Sequence, residues 1–180
     1  MVLVEGRPAD CTGRLAKEVR VYDLLDSLGV TYQRIDHEPA MTMEACAEID
    51  QVLDATICKN LLLCNRQQTD FYLLMLPGDK PFKTKFLSAQ LGCSRLSFAG
   101  DESMKELLNT IPGSVSAMEL LFDTEHKVKL VIDRDLLNDA YISGHPGIST
   151  STLKLKREDL LRFVQSTGHE PTYIELPDPR

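Results

Sequence analysis

The sequence predicts an α+β domain, a mixed β-sheet flanked by helices. Three observations carry that prediction. Helical and strand-like stretches follow one another without regular βαβ alternation, which argues against a doubly wound fold. Two nearly continuous apolar runs, 56–64 and 70–76, are separated by the polar loop Asn65-Arg66-Gln67-Gln68-Thr69, the pattern of a hairpin built from central strands. The chain has 180 residues, 43% hydrophobic and 26% charged, enough for one sizeable core without disulfides or metal. We therefore expect one domain over 1–180, with a core over about 20–176 and an N-terminal helix over about 12–28 packed on it.

The elements follow in order. Thr12 is placed to cap the first helix and Gly29 to end it, with Leu15, Val19, Tyr22, Leu25 and Leu28 as the buried stripe. A strand follows over 30–35. Pro39 keeps Glu38 out of helical conformation, so 36–39 is a turn, and Thr42 opens a helix running to about Glu48. After the hairpin, Pro77-Gly78-Asp79 stops the second strand. Thr84 caps a helix ending at Gly92, 95–98 is a short strand, and Asp101 caps a helix through Leu108. Pro112-Gly113-Ser114 is a turn. Strands follow over 128–132 and 151–155, a helix over 157–167 ends at Gly168, and 173–176 adds an edge strand.

Composition excludes several classes of function. A net charge of −7 argues against sequence-independent nucleic-acid binding over the whole surface, although a local basic patch is compatible with it. No apolar run approaches the roughly 20 residues of a membrane span. The N-terminus lacks the basic and apolar regions of a secretory signal. The five cysteines are odd in number and irregular in spacing, so we expect reduced thiols in a cytoplasmic protein, with Cys58 and Cys64 as small core residues. GxGxxG, GxxxxGK[ST], HExxH and GxSxG are all absent.

What remains is a short set of candidates. Lys59 interrupts an apolar strand and must either reach the sheet's wet end or line a cavity, where a cation stabilises an oxyanion or phosphate. His145 lies in Gly144-His145-Pro146-Gly147, a stiff turned loop of the kind that carries function, and could equally be a plain surface turn. His126 and His169 read as an exposed turn residue and a helix-end cap. Lys80, Lys83 and Lys85 form one basic stretch, Arg14, Lys17 and Arg20 a second, and Lys154, Lys156 and Arg157 a third; each is by default a solvated face.

The ordered set of segments resembles the YbaK and prolyl-tRNA-synthetase-insertion superfamily of aminoacyl-tRNA deacylases, and within it the PrdX-like, ProXp-ala-type editing proteins. The segments are IDHEPAMTMEAC (35–46), CKNLLLCNRQQTDFYLLMLPGDKPF (58–82), LGCSRLSFAGDESMKELLNTIPGSVS (91–116), DTEHKVKLVIDRDLL (123–137) and the stretch 143–171. The resemblance implies a largely antiparallel, curved sheet and hydrolysis of mischarged tRNA(Pro) in trans, alanyl-tRNA(Pro) first. It implies no cofactor and no metal, and transient contact with prolyl-tRNA synthetase or an elongation factor. Cysteinyl-tRNA(Pro), another small mischarged amino acid, or a non-catalytic tRNA- or synthetase-binding module are the alternatives.

By resemblance, Lys59-Asn60 matches the essential strand lysine and its asparagine. Gly144-His145-Pro146 matches the pocket loop, and His37, Pro39 and Thr42 match the His-x-Pro turn and the helix after it. The loop that binds the aminoacyl ester falls at Gly113, Ser114 and Val115, and its final proline is here Ala117. Lys59 would place the terminal phosphate or the ester carbonyl. Backbone N–H groups near 113–115 would stabilise the oxyanion, and His145 would shape the pocket. The tRNA's own 2′-OH, with water, would serve as the base. Met41, Met43, Ile57 and Leu61 are further lining candidates, and Lys80, Lys83 and Lys85 lead as the tRNA contact.

Overall fold

The two apolar runs become the centre of a sheet because they are buried on both faces. In the computed structural model, which describes residues 2–39 and 43–178, they are β3 (Cys58–Asn65) and β4 (Phe71–Pro77), an antiparallel hairpin with Leu61 opposite Leu74. Side chains alternate between the faces. Leu62, Cys64, Leu73 and Met75 enter one core cluster, while Leu63, Leu74 and Leu76 enter another. A strand feeding two cores has no polar face, which explains the nearly continuous hydrophobicity.

β6 (Val128–Asp133) adds in parallel to β4, and β9 (Thr172–Ile174) adds in parallel to β6 at one edge. At the other edge β5 (Leu96–Phe98) pairs antiparallel with β3, at its residues 63–65. The order is β5-β3-β4-β6-β9. A second, fully antiparallel sheet has the order β1-β2-β8-β7, from β1 (Leu3–Glu5), β2 (Tyr32–Asp36), β8 (Ser151–Lys156) and β7 (Tyr141–Gly144). The expected mixed, largely antiparallel architecture is present, distributed over two sheets that meet at a parallel bridge between Thr56 and Ile142.

Among the described residues five helices flank the sheets: α1 (Ala16–Ser27), α2 (Met43–Leu53), α3 (Thr84–Leu91), α4 (Asp101–Leu108) and α5 (Arg157–Ser166). Val21, Tyr22 and Leu25 of α1 and Leu160, Phe163 and Val164 of α5 close the larger core. Helix boundaries depart from the sequence reading for local reasons. α1 starts at Ala16 because Thr12 sits in a turn on the Asp10 carboxylate, and Leu15, assigned to the stripe, is 56% exposed. Lys83 and Gly100, not Thr84 and Asp101, occupy the cap positions of α3 and α4. Asp101 and Glu102 instead place negative charge at the positive end of α4. α2 runs on to Leu53 because Ile49 and Leu53, four apart, continue its buried face.

Four elements were not foreseen: β1, β7 and two 3-10 turns, Ala117–Phe122 and Arg134–Asn138. The first turn carries a capping box, in which the Ser116 hydroxyl accepts from Met118 N and the Glu119 carboxylate accepts from Ser116 N. Of the candidate site residues, Thr42 lies outside the described residues, as does Met41; the Met43 side chain is likewise undescribed.

Candidate active site

β5 covers only the far end of β3, and the bridge to β7 holds only its entry. Between them no strand among the described residues pairs with the outer edge of β3, and a cavity of about 440 Å³ opens along it. The hydrogen-bonding register follows from fixed points. Asn65 N bonds Asp70 O and Gly78 N bonds Ile57 O toward β4, while Ala99 N bonds Leu62 O toward β5. Alternation then turns the N–H and C=O of Cys58 and Asn60 outward. Asn60 has no strand opposite it on that side among the described residues.

Lys59, Asn60, His37, Gly113, Val115, Gly144 and His145 all line this cavity, together with Ile57, Leu61, Leu62, Met104 and Phe98. Segments far apart in sequence are thus brought to one place. Lys59 is half-buried, and its ammonium donates to the Lys80 carbonyl at 2.7 Å. That bond fixes the head group and leaves two N–H donors for a ligand.

The two cavity histidines are wired through the backbone. His145 Nδ1 lies 2.8 Å from Ser151 O, so Nδ1 carries the proton and Nε2 is an acceptor without a partner among the described residues. Burial, more than the opposing bond to Ser151, holds its pKa below the ordinary histidine value, which keeps it neutral at pH 7. His37 Nδ1 donates to Glu38 O, and its Nε2 accepts from the Thr152 hydroxyl, both at 2.8 Å. The ring centroids are 6.4 Å apart.

Behind them lies an ion network that the sequence reading missed. Asp36 accepts from Arg14 at 2.9 Å, from the Ser151 hydroxyl at 2.5 Å, and from Arg34. Burial opposes its charge, but these bonds prevail and hold the carboxyl far below the usual range. Arg14, read as part of a solvated face, is therefore a brace. It ties α1 to the end of β2 that leads into His37, and to the β8 residue whose carbonyl holds His145.

Three expectations need correction. Lys80 is not a tRNA contact. It is 1% exposed, and its ammonium bonds Asp133 at 2.7 Å and Asp135 at 2.8 Å. Ser114 is buried, does not line the cavity, and donates its N–H to Ile111 O. The N–H groups of Gly113 and Val115 have no partner among the described residues. Gly113 has φ +88, a conformation that excludes most side chains. Pro146 is buried behind the loop rather than on the cavity wall.

Ala117, which replaces the resemblance's proline, gains a role. Its N–H donates to Asn60 Oδ1 at 3.1 Å, a bond no proline can make. The loop is therefore held by a hydrogen bond and the capping box rather than by a ring. Cys58 also lines the cavity, but burial pushes its thiol up to about 12, so it is no nucleophile at neutral pH. Among the described residues, no three His, Cys, Asp or Glu side chains converge as a metal-binding group, and no helix is long and apolar enough to cross a membrane.

An open strand edge, a fixed ammonium and a neutral imidazole thus surround one largely apolar cavity. A family model described as "Aminoacyl-tRNA editing domain" matches residues 37–163, which contain every one of these groups. The chain belongs to that family and is in class an aminoacyl-tRNA editing enzyme, a deacylase. It is 32% identical over 152 residues to the prolyl-tRNA editing protein ProX of Acetoanaerobium sticklandii, covering 84% of this chain and 93% of the relative. It is 30% identical to prolyl-tRNA synthetase associated domain-containing protein 1 of Danio rerio, covering 90% and 88%. A crystal structure proposed as a trans-editing enzyme for prolyl tRNA synthetase superposes with a TM-score of 0.67 at 17% identity, covering 91% of this chain and 99% of that one. At that identity the likeness speaks for the fold.

Proposed function

We propose that this chain hydrolyses mischarged tRNA(Pro) in trans, with alanyl-tRNA(Pro) as its preferred substrate. The observation that carries the reading is the uncovered edge of β3 at Asn60, facing the loop of Gly113 and Val115 across an apolar cavity. Backbone donors aimed into a low-dielectric site are what a developing oxyanion requires.

Water adds to the ester carbonyl, and the oxyanion forms among the N–H groups of Asn60, Gly113 and Val115. The carbon–oxygen bond to the terminal ribose breaks, and the proton taken from water goes to the departing 3′ oxygen. The products are free alanine and uncharged tRNA. The tRNA's 2′-OH relays that proton, and His145, neutral and with no partner on Nε2 among the described residues, orients the water. Lys59 holds the terminal phosphate or the carbonyl by charge.

The need for such a sieve is physical. A synthetase pocket shaped for proline loses only about 1–3 kcal/mol per missing methylene when alanine enters. The enzyme acts in the cytoplasm, with contact to prolyl-tRNA synthetase or an elongation factor no more than transient.

The test is deacylation of preformed alanyl-, cysteinyl- and prolyl-tRNA(Pro) and alanyl-tRNA(Ala), with Lys59→Ala as control. Selective loss of alanyl-tRNA(Pro), abolished in the control, is the expected result. Loss of cysteinyl-tRNA(Pro) instead moves the specificity. No hydrolysis with tRNA still bound replaces the enzyme by a binding module.

A further inference from the structure

We infer that Phe98 is a stacking platform for the terminal base of the tRNA 3′ end, and that Lys83, Lys85 and Arg95 form the groove receiving the phosphates behind it. The inference deepens the editing function and rests on it for the identity of the ligand.

Phe98 is a large apolar side chain, 58% exposed, at the end of an edge strand and on the cavity wall. A single exposed aromatic is ordinary. Its setting is not. Its Cα lies opposite Leu63, where β5 leaves β3 and the uncovered edge begins. One face of its environment is fixed by Phe82, whose ring meets it edge-on at 6.3 Å between centroids and 70° between planes. The rest of the ring stands toward solvent at the cavity mouth.

The segment that supplies Phe82 connects the cavity to a cationic groove. Lys80 anchors the Lys59 ammonium through its carbonyl, Phe82 buttresses Phe98, and Lys83 and Lys85 follow at the start of α3. Lys83, Thr84, Lys85, Ser88 and Arg95 line a second depression. The three cations are exposed, and none has a carboxylate partner among the described residues. In a chain of net charge −7 that is a local reversal of sign.

Arg95 precedes Phe98 by three residues of extended chain, about 10 Å. On the other side of Phe98, Asp101 and Glu102 present carboxylates at the start of α4. A polyanion whose last base rests on Phe98 is thus drawn toward Arg95 and repelled from α4.

The chemistry matches one ligand, a short single-stranded RNA end whose terminal ester reaches Lys59 and Asn60. An aromatic face stacks any base without reading its sequence, and cations beside it track the backbone. Sequence-independent binding of this kind is appropriate to an end that all tRNAs share, so the cavity selects the amino acid, and discrimination between tRNA(Pro) and tRNA(Ala) falls to contacts beyond that end.

The experiment compares Phe98→Ala, Phe98→Tyr and the triple variant K83Q/K85Q/R95Q with wild type on alanyl-tRNA(Pro), 3′-O-alanyl-adenosine and the 2-hydroxyethyl ester of alanine, which keeps a vicinal hydroxyl and lacks the base. Phe98→Ala is expected to lower kcat/KM on the two base-bearing substrates by about 5- to 100-fold more than on the hydroxyethyl ester, mostly through KM, with Phe98→Tyr restoring it. The triple variant is expected to lower turnover of the tRNA more than of alanyl-adenosine, and to flatten the salt dependence of binding to an RNA oligonucleotide ending in CCA. Equal loss on all three substrates, or no loss on the tRNA, overturns the platform. If wild type hydrolyses none of the esters, the editing function fails separately, and anisotropy with the CCA oligonucleotide decides the platform. Weaker binding by Phe98→Ala than by Phe98→Tyr sustains it, and equal binding overturns it.

Discussion

Lys59 and Lys80 share one hydrogen bond and have opposite surroundings. The Lys59 ammonium faces a cavity, anchored by the Lys80 carbonyl and with no other partner among the described residues. The Lys80 ammonium is sealed against Asp133 and Asp135. The difference shows what separates a working cation from a structural one: not burial alone, but whether carboxylates already satisfy it. It also shows an economy of placement, since the residue that locks the fold positions, through its backbone, the residue proposed to meet the substrate.

The largest effect should come from breaking the locked side. Lys80→Met leaves Asp133, 1% exposed, without its cation and should cost about 3–5 kcal/mol in urea denaturation. Burial works against the Lys80 charge, but its bonds to Asp133 and Asp135 outweigh that and raise its pKa. The folded value lies above the unfolded one. The pair's contribution is therefore complete below the ordinary lysine value of 10.5 and is lost as pH climbs through the folded value. Wild type should lose this increment in alkali, and Lys80→Met should not.

Breaking the open side should leave stability nearly intact. Lys59→Ala removes one hydrogen bond, about 1 kcal/mol, while deacylation should fall by roughly 10²- to 10³-fold. If both variants unfold alike, the contrast between the two lysines is void.

Glu119 sharpens the comparison, because it is a fully buried carboxylate with no ion pair among the described residues, and the charge of Lys17 only partly offsets its burial. One oxygen accepts from Ser116 N at 2.8 Å, and the other has no partner among the described residues. Burial pushes its pKa up to about 7 from 4.5. Stability is full below about pH 4.5 and declines toward pH 7 as the unfolded chain ionises first, by about 3 kcal/mol. Glu119→Gln should remove that slope between pH 4.5 and 7, read by thermal melts at stepped pH.

The smallest effect is expected at Gly144, where an added Cβ would meet the Met118 methyl at 3.2 Å. The flexible end of Met118 can give way, so Gly144→Ala should cost about 1 kcal/mol and lower activity only modestly, as seen in parallel melts and deacylation assays.

The hairpin, the later strands and the closing helix were legible because their patterns are strong and local. Lys59, Asn60, Gly144 and His145 were legible as a group only through the resemblance, since no spacing joins a strand near 59 to a loop near 145. Lys80 was misread because a lysine beside Gly78-Asp79 looks like any surface turn, and its partners lie 53 and 55 residues away. The Arg14–Asp36–Ser151 brace was hidden for the same reason. Phe98 carried a faint signal, an aromatic ending a short strand next to Gly100 and Asp101, indistinguishable in sequence from a core residue.

Uncovered strand edges invite pairing with other chains, and proteins usually blunt them with charge, proline or a covering element. Here the exposed stretch of β3 is bounded by β5 at one end and by the Thr56–Ile142 bridge at the other, leaving a notch only a few residues long. An incoming strand has no room to propagate a ladder, whereas an ester has. The margin depends on β5, only three residues long. A substitution that frays β5 from β3 would lengthen the notch into an adhesive edge, and self-association would be the first symptom, ahead of any loss of fold.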